Sequence, residues 1–255
     1  MKTKFFTSAF LIIFICTSIT SIAQSGFTNK DEAKNLYKDS LKDGKWIEYR
    51  DSALKPTTKD SAVYYRLTIY TMGKENDTAR AYSMKDNKLR IVTPYVNGKK
   101  EGIAKWYFPS GVLGVITPLH NDSIDGAQRQ YYESGKIRWV IPFVNGKRKG
   151  VSKKYFENGA LAIEIPYDSL KNGIEKDYYD NGEIEFEIPF VNGKKNGVSK
   201  AYYETVNDPN HYQAWGIAWE IPYTNDVING TEIHYDIRGQ IKNQTEYVNG
   251  KKKDE

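Results

Sequence analysis

The chain has 255 residues, 37 Lys+Arg against 32 Asp+Glu for a formal charge of +5, and one cysteine, Cys16. So mild a balance does not imply nucleic acid, and a lone cysteine leaves no disulfide framework and no thiolate metal site. Tyr, Phe and Trp make up 14% of the residues, the polar average excludes a membrane bundle, and frequent Tyr, Ile and Gly favour strands and turns over helices.

Residues 1–23 carry Lys2 and Lys4, an apolar run from Ala9 to Ile15 and the small-residue stretch Ser21-Ile22-Ala23. This pattern predicts a signal peptide cleaved before Gln24, hence an exported protein that is periplasmic, outer-membrane-associated or secreted. The run is short of the ~20 residues a membrane span needs. Cys16 follows Phe14-Ile15 rather than small residues, so a lipid anchor is not expected. Loss of the leader, which holds two lysines and no acid, lowers the charge to +3 and removes the cysteine.

Residues 24–43 are expected to form a helical cap or linker. A short helix from Asn29 to Leu41 would be opened by Thr28 or Asn29, with Asp31 and Glu32 in its first turn. Residues 44–93 contain GKWIEY at 44–49, YTMG at 70–73 and NKLRI at 87–91, which are decayed copies of the unit that follows, interrupted near 50–63.

From Pro94 onward the repetition is regular. PYVNGKKEG at 94–102, PFVNGKRKG at 142–150 and PFVNGKKNG at 189–197 mark units beginning at Pro94, Pro118, Pro142, Pro166, Pro189 and Pro222, with a truncated one at Tyr247. A catalytic loop is written once, whereas a structural unit recurs as often as it is stacked. Paired glycines recur nine residues apart, as at Gly150 and Gly159, and the fifth residue after the first glycine is Tyr in all six units. After the second glycine the residues alternate, as in EIEFEI at 183–188, with Ile184, Phe186, Ile188 and Phe190 on one face. Period two over this length predicts a half-buried strand.

Asn158-Gly159 and Asn181-Gly182 are expected as two-residue hairpin turns. In that register Asp180 faces Glu183 and Tyr179 faces Ile184, so the second aromatic joins the apolar face and the first lies opposite. The VNGK stretch supplies the other reversal: Asn145-Gly146 turn the chain, Lys147 to Lys149 lie in the loop, and the proline sits at the strand end because it cannot donate to a ladder. The expected fold is all-β: a repetitive antiparallel hairpin meander forming an elongated twisted single-sheet ribbon, with a short N-terminal helix.

The recurring YxNGKxxG followed by YYxNG resembles the MORN-repeat variant of bacterial proteins, including those called YwqK-type antitoxins. The resemblance covers residues 94–250 well and 43–93 weakly. It implies hairpin ribbons associated with membrane lipids or protein assembly, and for the antitoxin type a partner to be neutralised. Two departures stand beside it. The antitoxin label suggests a cytoplasmic partner while this chain carries an export signal, and the fourth unit has DSLKN at 168–172 in place of the VNGKK turn.

Three candidate binding features follow. The first is the set of basic turns, Lys99, Lys100, Lys147, Arg148, Lys149, Lys194 and Lys195, opposed across the ribbon by Glu133, Glu157, Asp180 and Glu204. Weak contact with anionic lipid or glycan is one reading of that edge; solubility and blocked edge pairing is the other. The second is the apolar face, exemplified by Ile137, Trp139, Ile141 and Phe143, too long for one short helix to cover. The third is the insertion near 205–215, which offers His211, Tyr212 and Trp215 to a protein partner.

No catalytic residue, metal site or cofactor is expected. His120, His211 and His234 fall at different positions of different units. Glu164, Glu185, Glu187 and Glu220 recur opposite the isoleucines as a solvated row rather than a glycosidase pair. These residues point to a non-enzymatic exported scaffold that binds another protein at the cell envelope.

Overall fold

The computed structural model describes residues 26–168, 170–204 and 216–253. They form one open antiparallel sheet of 22 strand segments, joined by two single 3-10 turns, Lys30–Glu32 and Lys59–Ser61. Strands pair in chain order, from Leu36–Lys38 against Leu41–Arg50 to Ile241–Val248 against Lys251–Lys252. Each unit can therefore support only its neighbours, as in a one-dimensional stack.

The VNGK reversal is a two-residue turn. Asn145 and Gly146 both take positive φ, 48° and 77°, and Val144 pairs with Lys147 across them. The turn is thus tighter than expected: Lys147 and Arg148 belong to the returning strand Lys147–Tyr155 and not to a loop. The proline lies within its strand rather than at its end, since Pro166 is the sixth residue of Leu161–Asp168. The ladder tolerates it because the returning strand bulges there. In the unit starting at Pro94, Tyr95 pairs with Lys100 and Val92 with Lys105, and the Pro94 carbonyl accepts from Glu101 N at 3.1 Å. The bulge glycine is held by the same proline. A Cβ on Gly173, at φ 106°, would lie 2.9 Å from Pro166 Cγ.

The opposite reversal corrects the two-residue expectation. Tyr179 N donates to the Glu183 carbonyl at 2.9 Å and Gly182 N to the Tyr179 carbonyl at 3.0 Å, which encloses three residues, Asp180 to Gly182. Gly182 takes φ 89° while Asn181 is absent from the positive-φ residues; its Oδ1 instead accepts from Glu183 N at 2.9 Å. A type I turn followed by a left-handed glycine gives the twist that a primed turn would have given. The register moves accordingly. Tyr178 pairs with Ile184 and Asp177 with Phe186, with a shift between them.

The helix expected from Asn29 to Leu41 shrinks to the 3-10 turn Lys30–Glu32. Asn29 does cap it, accepting from Asp31 N at 3.0 Å. Beyond it, Asn35, Asp39 and Ser40 take left-handed φ, and Leu36–Lys38 pairs with Leu41–Arg50. Asx-type side chains bonding the backbone locally outcompete a helix this short; Asn35 exchanges hydrogen bonds with the Ile47 backbone.

The core sits at the N-terminal end. Phe27, Tyr65 and Leu67 are buried together, flanked by Ala33, Ile47, Tyr49, Ile69 and Tyr82. Beyond Val92 the buried apolar side chains among the described residues are Ile141, Ala162, Phe190 and Ala201.

Candidate functional site

Two rows of cross-strand partners run the length of the sheet, one on each face. The first begins Ile47, Leu67, Arg80, Val92. It passes through Lys105, Ile116, Arg129 and Val140, and then reads Lys153, Glu164, Lys176, Glu187, Lys200, Glu220. The second begins Glu48, Arg66, Ala81, Ile91 and ends Ile163, Asp177, Phe186, Ala201, Trp219, His234. The apolar side of the sheet therefore changes from the first face to the second along the chain.

On the first face the alternating charges are joined into a ladder. Lys153 Nζ lies 2.9 Å from Glu164, Lys176 3.2 Å from Glu187 and Lys200 3.3 Å from Glu220. The tyrosine five residues after each bulge glycine completes it. Tyr178, Tyr202 and Tyr235 donate to Glu164, Glu187 and Glu220 at 2.8, 2.7 and 3.0 Å. Burial, then the hydrogen bond to a carboxylate, pushes the Tyr178 and Tyr202 phenols up to about 12. The Lys153 ammonium holds Glu164 below the usual carboxylate range; for Glu187, burial works upward but Tyr202 and Lys176 outweigh it. The next aromatic clasps the following unit: Tyr132, Tyr179 and Tyr203 donate to the carbonyls of Tyr155, Tyr202 and Tyr235 at 2.7 to 2.8 Å.

On the second face, the residue two before the bulge glycine places a cation over the ring that follows the next proline. Arg148 covers Tyr167, Lys171 covers Phe190 and Lys195 covers Tyr223, at 5.2, 3.5 and 5.0 Å. Each such contact contributes about 0.5–1 kcal/mol at an exposed site. Asp177 lies among apolar neighbours in this face, and burial, then Glu175 and Glu185, pushes its carboxyl up to about 6.

The basic turns do share one edge, because successive reversals bond to one another. Gly146 N donates to the Ile124 carbonyl at 2.8 Å and Asp226 N to the Lys195 carbonyl at 2.9 Å. Lys99, Lys147, Lys149 and Lys194 are exposed there, whereas Arg148 and Lys195 fold back over rings. Acids interrupt the edge: Asp122 Oδ1 accepts from Lys100 N at 2.8 Å, and Glu101 accepts from Asn121 N at 2.9 Å. Glu133, Glu157, Asp180 and Glu204 are exposed on the opposite edge.

His211, Tyr212 and Trp215, like residues 1–25, lie outside the described residues. His120 Nδ1 lies 3.0 Å from Glu101 and His234 Nε2 2.7 Å from Glu232, each within its own stretch of sheet. Among the described residues no three of His, Cys, Asp and Glu group to hold a metal, and no helix is long and apolar enough to cross a membrane.

Beside the ladder, the first face leaves an apolar row uncovered. Ile103, Val151, Ile174 and Val198 pair with Pro118, Pro166, Pro189 and Pro222 and remain 45–50% exposed. The family described as MORN repeat variant matches residues 100–116, 124–145, 148–169 and 171–192. These four segments are similar to MORN repeats in sequence. MORN repeats in general are non-catalytic and mediate contact with proteins or membrane lipids. No curated protein matches the chain at a significant level.

Sequence reasoning missed the tyrosine clasps and the cation-over-ring contacts, although their signal was present. Tyr132, Tyr179 and Tyr203 stand six residues after their glycines, and a cation stands two before the bulge glycine at Lys100, Arg148, Lys171 and Lys195. The exposed Val and Ile row was missed because those residues sit between the motifs that marked the repeat.

Proposed function

We propose that this chain is a non-enzymatic, exported repeat scaffold that binds another protein at the cell envelope, with an antitoxin-type role, neutralising a toxic partner, as a special case. One observation carries the reading: the uncovered Ile103, Val151, Ile174 and Val198 row, set between the charge ladder and the turn edge. Adjacent strands lie about 4.8 Å apart, so each unit advances such a row by about 10 Å. A row of that kind, apolar in the centre and polar on both flanks, has the anatomy of a protein interface.

The test is capture from the envelope fraction of the native cell by the purified chain and by a V151E/I174E/V198E variant, with circular dichroism as the folding control. The partner should be retained by the parent chain and lost by the folded variant. Equal capture by both overturns the assignment to this row. For the antitoxin case, the captured partner should be toxic when expressed without this chain; a harmless partner removes that case. A second reading, anionic lipid or glycan at the turn edge, draws on the exposed Lys147, Lys149 and Lys194. It requires anionic vesicles or polysaccharide to be bound by the parent chain and not by K147E/K149E/K194E.

A further inference from the structure

The interruption of the repeat after Arg50 contributes Leu54 to a hollow on the second face. The segment is fixed by its own hydrogen bonds: Asp51 N donates to the Lys55 carbonyl and Leu54 N to the Asp51 carbonyl, both at 3.0 Å, while Asp51 Oδ1 accepts from Ala53 N and Lys55 N at 2.9 Å. Leu54, at φ 62° and 44% exposed, lines the hollow together with Ile91, and the rest of its wall includes Arg50, Arg66 over the Tyr95 ring, Glu75 and Lys100.

The charges there do not balance. Arg50 donates to Glu48 at 2.9 Å, and Arg66 to Glu75 at 2.5 Å with Glu48 at 3.5 Å. Lys42 also bonds Glu48, so Glu48, Glu75 and, at the Lys100 backbone, Asp122 face the four cations Lys42, Arg50, Arg66 and Lys100. Both guanidiniums keep unused donors, because Arg50 Nε and Arg66 Nη2 are buried without an acceptor. Both atoms are shielded from solvent, so they leave the cations under-compensated without offering a ligand a donor of their own. Lys100 is spare for a separate reason. In the units of Arg148, Lys171 and Lys195 its equivalent covers an aromatic ring, but the corresponding position here is Leu119. The Lys100 side chain meets no partner among the described residues.

We propose that this hollow binds a small organic carboxylate, its oxygens taken by the unpaired Lys100 ammonium within the field of Arg50 and Arg66, its apolar body against Leu54 and Ile91. A pocket with apolar walls and a few convergent cations selects an anion carrying a short hydrocarbon. This site lies on the other face from the Val and Ile row and stands or falls independently of it.

The experiment is isothermal titration of the intact mature chain with hexanoate, acetate, inorganic phosphate and the neutral hexanamide. Hexanoate should saturate one site, at least tenfold tighter than acetate or hexanamide. K100Q, which removes no hydrogen bond within the fold, should weaken hexanoate at least tenfold with an unchanged circular dichroism spectrum. L54G should bring hexanoate and acetate within about threefold of each other. Absence of saturable hexanoate binding overturns the proposal, as does a K100Q affinity equal to that of the parent chain. Phosphate binding tighter than hexanoate replaces the carboxylate assignment and so also overturns it.

Discussion

The same row of the same sheet is apolar at one end and ionic at the other. Ile47 and Leu67 occupy the register positions that Lys153 and Glu164, Lys176 and Glu187, and Lys200 and Glu220 occupy further along. What differs is the cover. Phe27, 1% exposed, packs with Leu67, which is 0% exposed; the Lys176 and Glu187 side chains stay 37% and 24% exposed. Fully burying a leucine contributes about 1.5–3 kcal/mol, but that gain needs a second layer. On an uncovered sheet face a cross-strand opposite-charge pair, contributing about 0.2–1 kcal/mol, is the stable choice. A hairpin-repeat ribbon can thus keep one backbone register while exchanging its apolar face, provided one segment folds back to cover the changed end.

The largest break of this comparison is Phe27→Ala. It should cost about 3–5 kcal/mol at the covered end, as large-to-small core changes do. Hydrogen-exchange mass spectrometry should show protection lost in residues 41–83 and kept in residues 173–202. Uniform loss across both regions would mean that the ribbon melts as one unit and that the two ends are not energetically distinct.

A smaller effect is expected from Asp177. Its carboxyl, raised from 3.8 to about 6 in the folded chain, binds a proton more tightly when folded than when unfolded. Ionised Asp177 is therefore a cost that is present above about pH 6 and relieved as pH falls towards 4. Asp177→Asn should stabilise the chain at pH 8 and leave it unchanged at pH 4. Solvent screening at this half-exposed site keeps the gain below about 1 kcal/mol. Urea midpoints at the two pH values give the answer; equal shifts at both would place the effect in packing.

The smallest effect belongs to the ladder itself. A double-mutant cycle on Lys176 and Glu187 should return less than about 1 kcal/mol at pH 7. Because the folded pKa of Glu187 lies below 4.5, that coupling is fully present above the ordinary carboxylate pKa and disappears as pH falls through the folded value. Coupling as large as the Phe27 effect would make the ionic end a core in its own right.

Much of the repeat was legible before any coordinates. Asn145-Gly146 demanded positive φ at two successive residues, and they have it. The opposite turn was misjudged because the same dipeptide, Asn181-Gly182, can enter either a two-residue loop or a three-residue one. The choice depends on whether the next strand accepts a bulge, here at the shift between Asp177 and Tyr178. The tyrosine five after glycine was visible as a constant, but its Glu partner is 14 or 15 residues away and was seen as part of a solvated row. The Arg50, Arg66 and Lys100 hollow left no sequence signal, since it joins an insertion, a degenerate strand and the second charge of a turn.

The sequence by itself determined the strands, the two alternating reversals and the chain-order pairing, because Gly, Pro, Asn and period-two patterning act on local backbone energetics. Only the tertiary structure decided which face is apolar at each end, which turn cations point outward and which cover rings. Those outcomes depend on what lies across the sheet from each residue. A side chain gains from burial or pairing only when a partner from another strand, or a segment folded back over it, is there to exclude water.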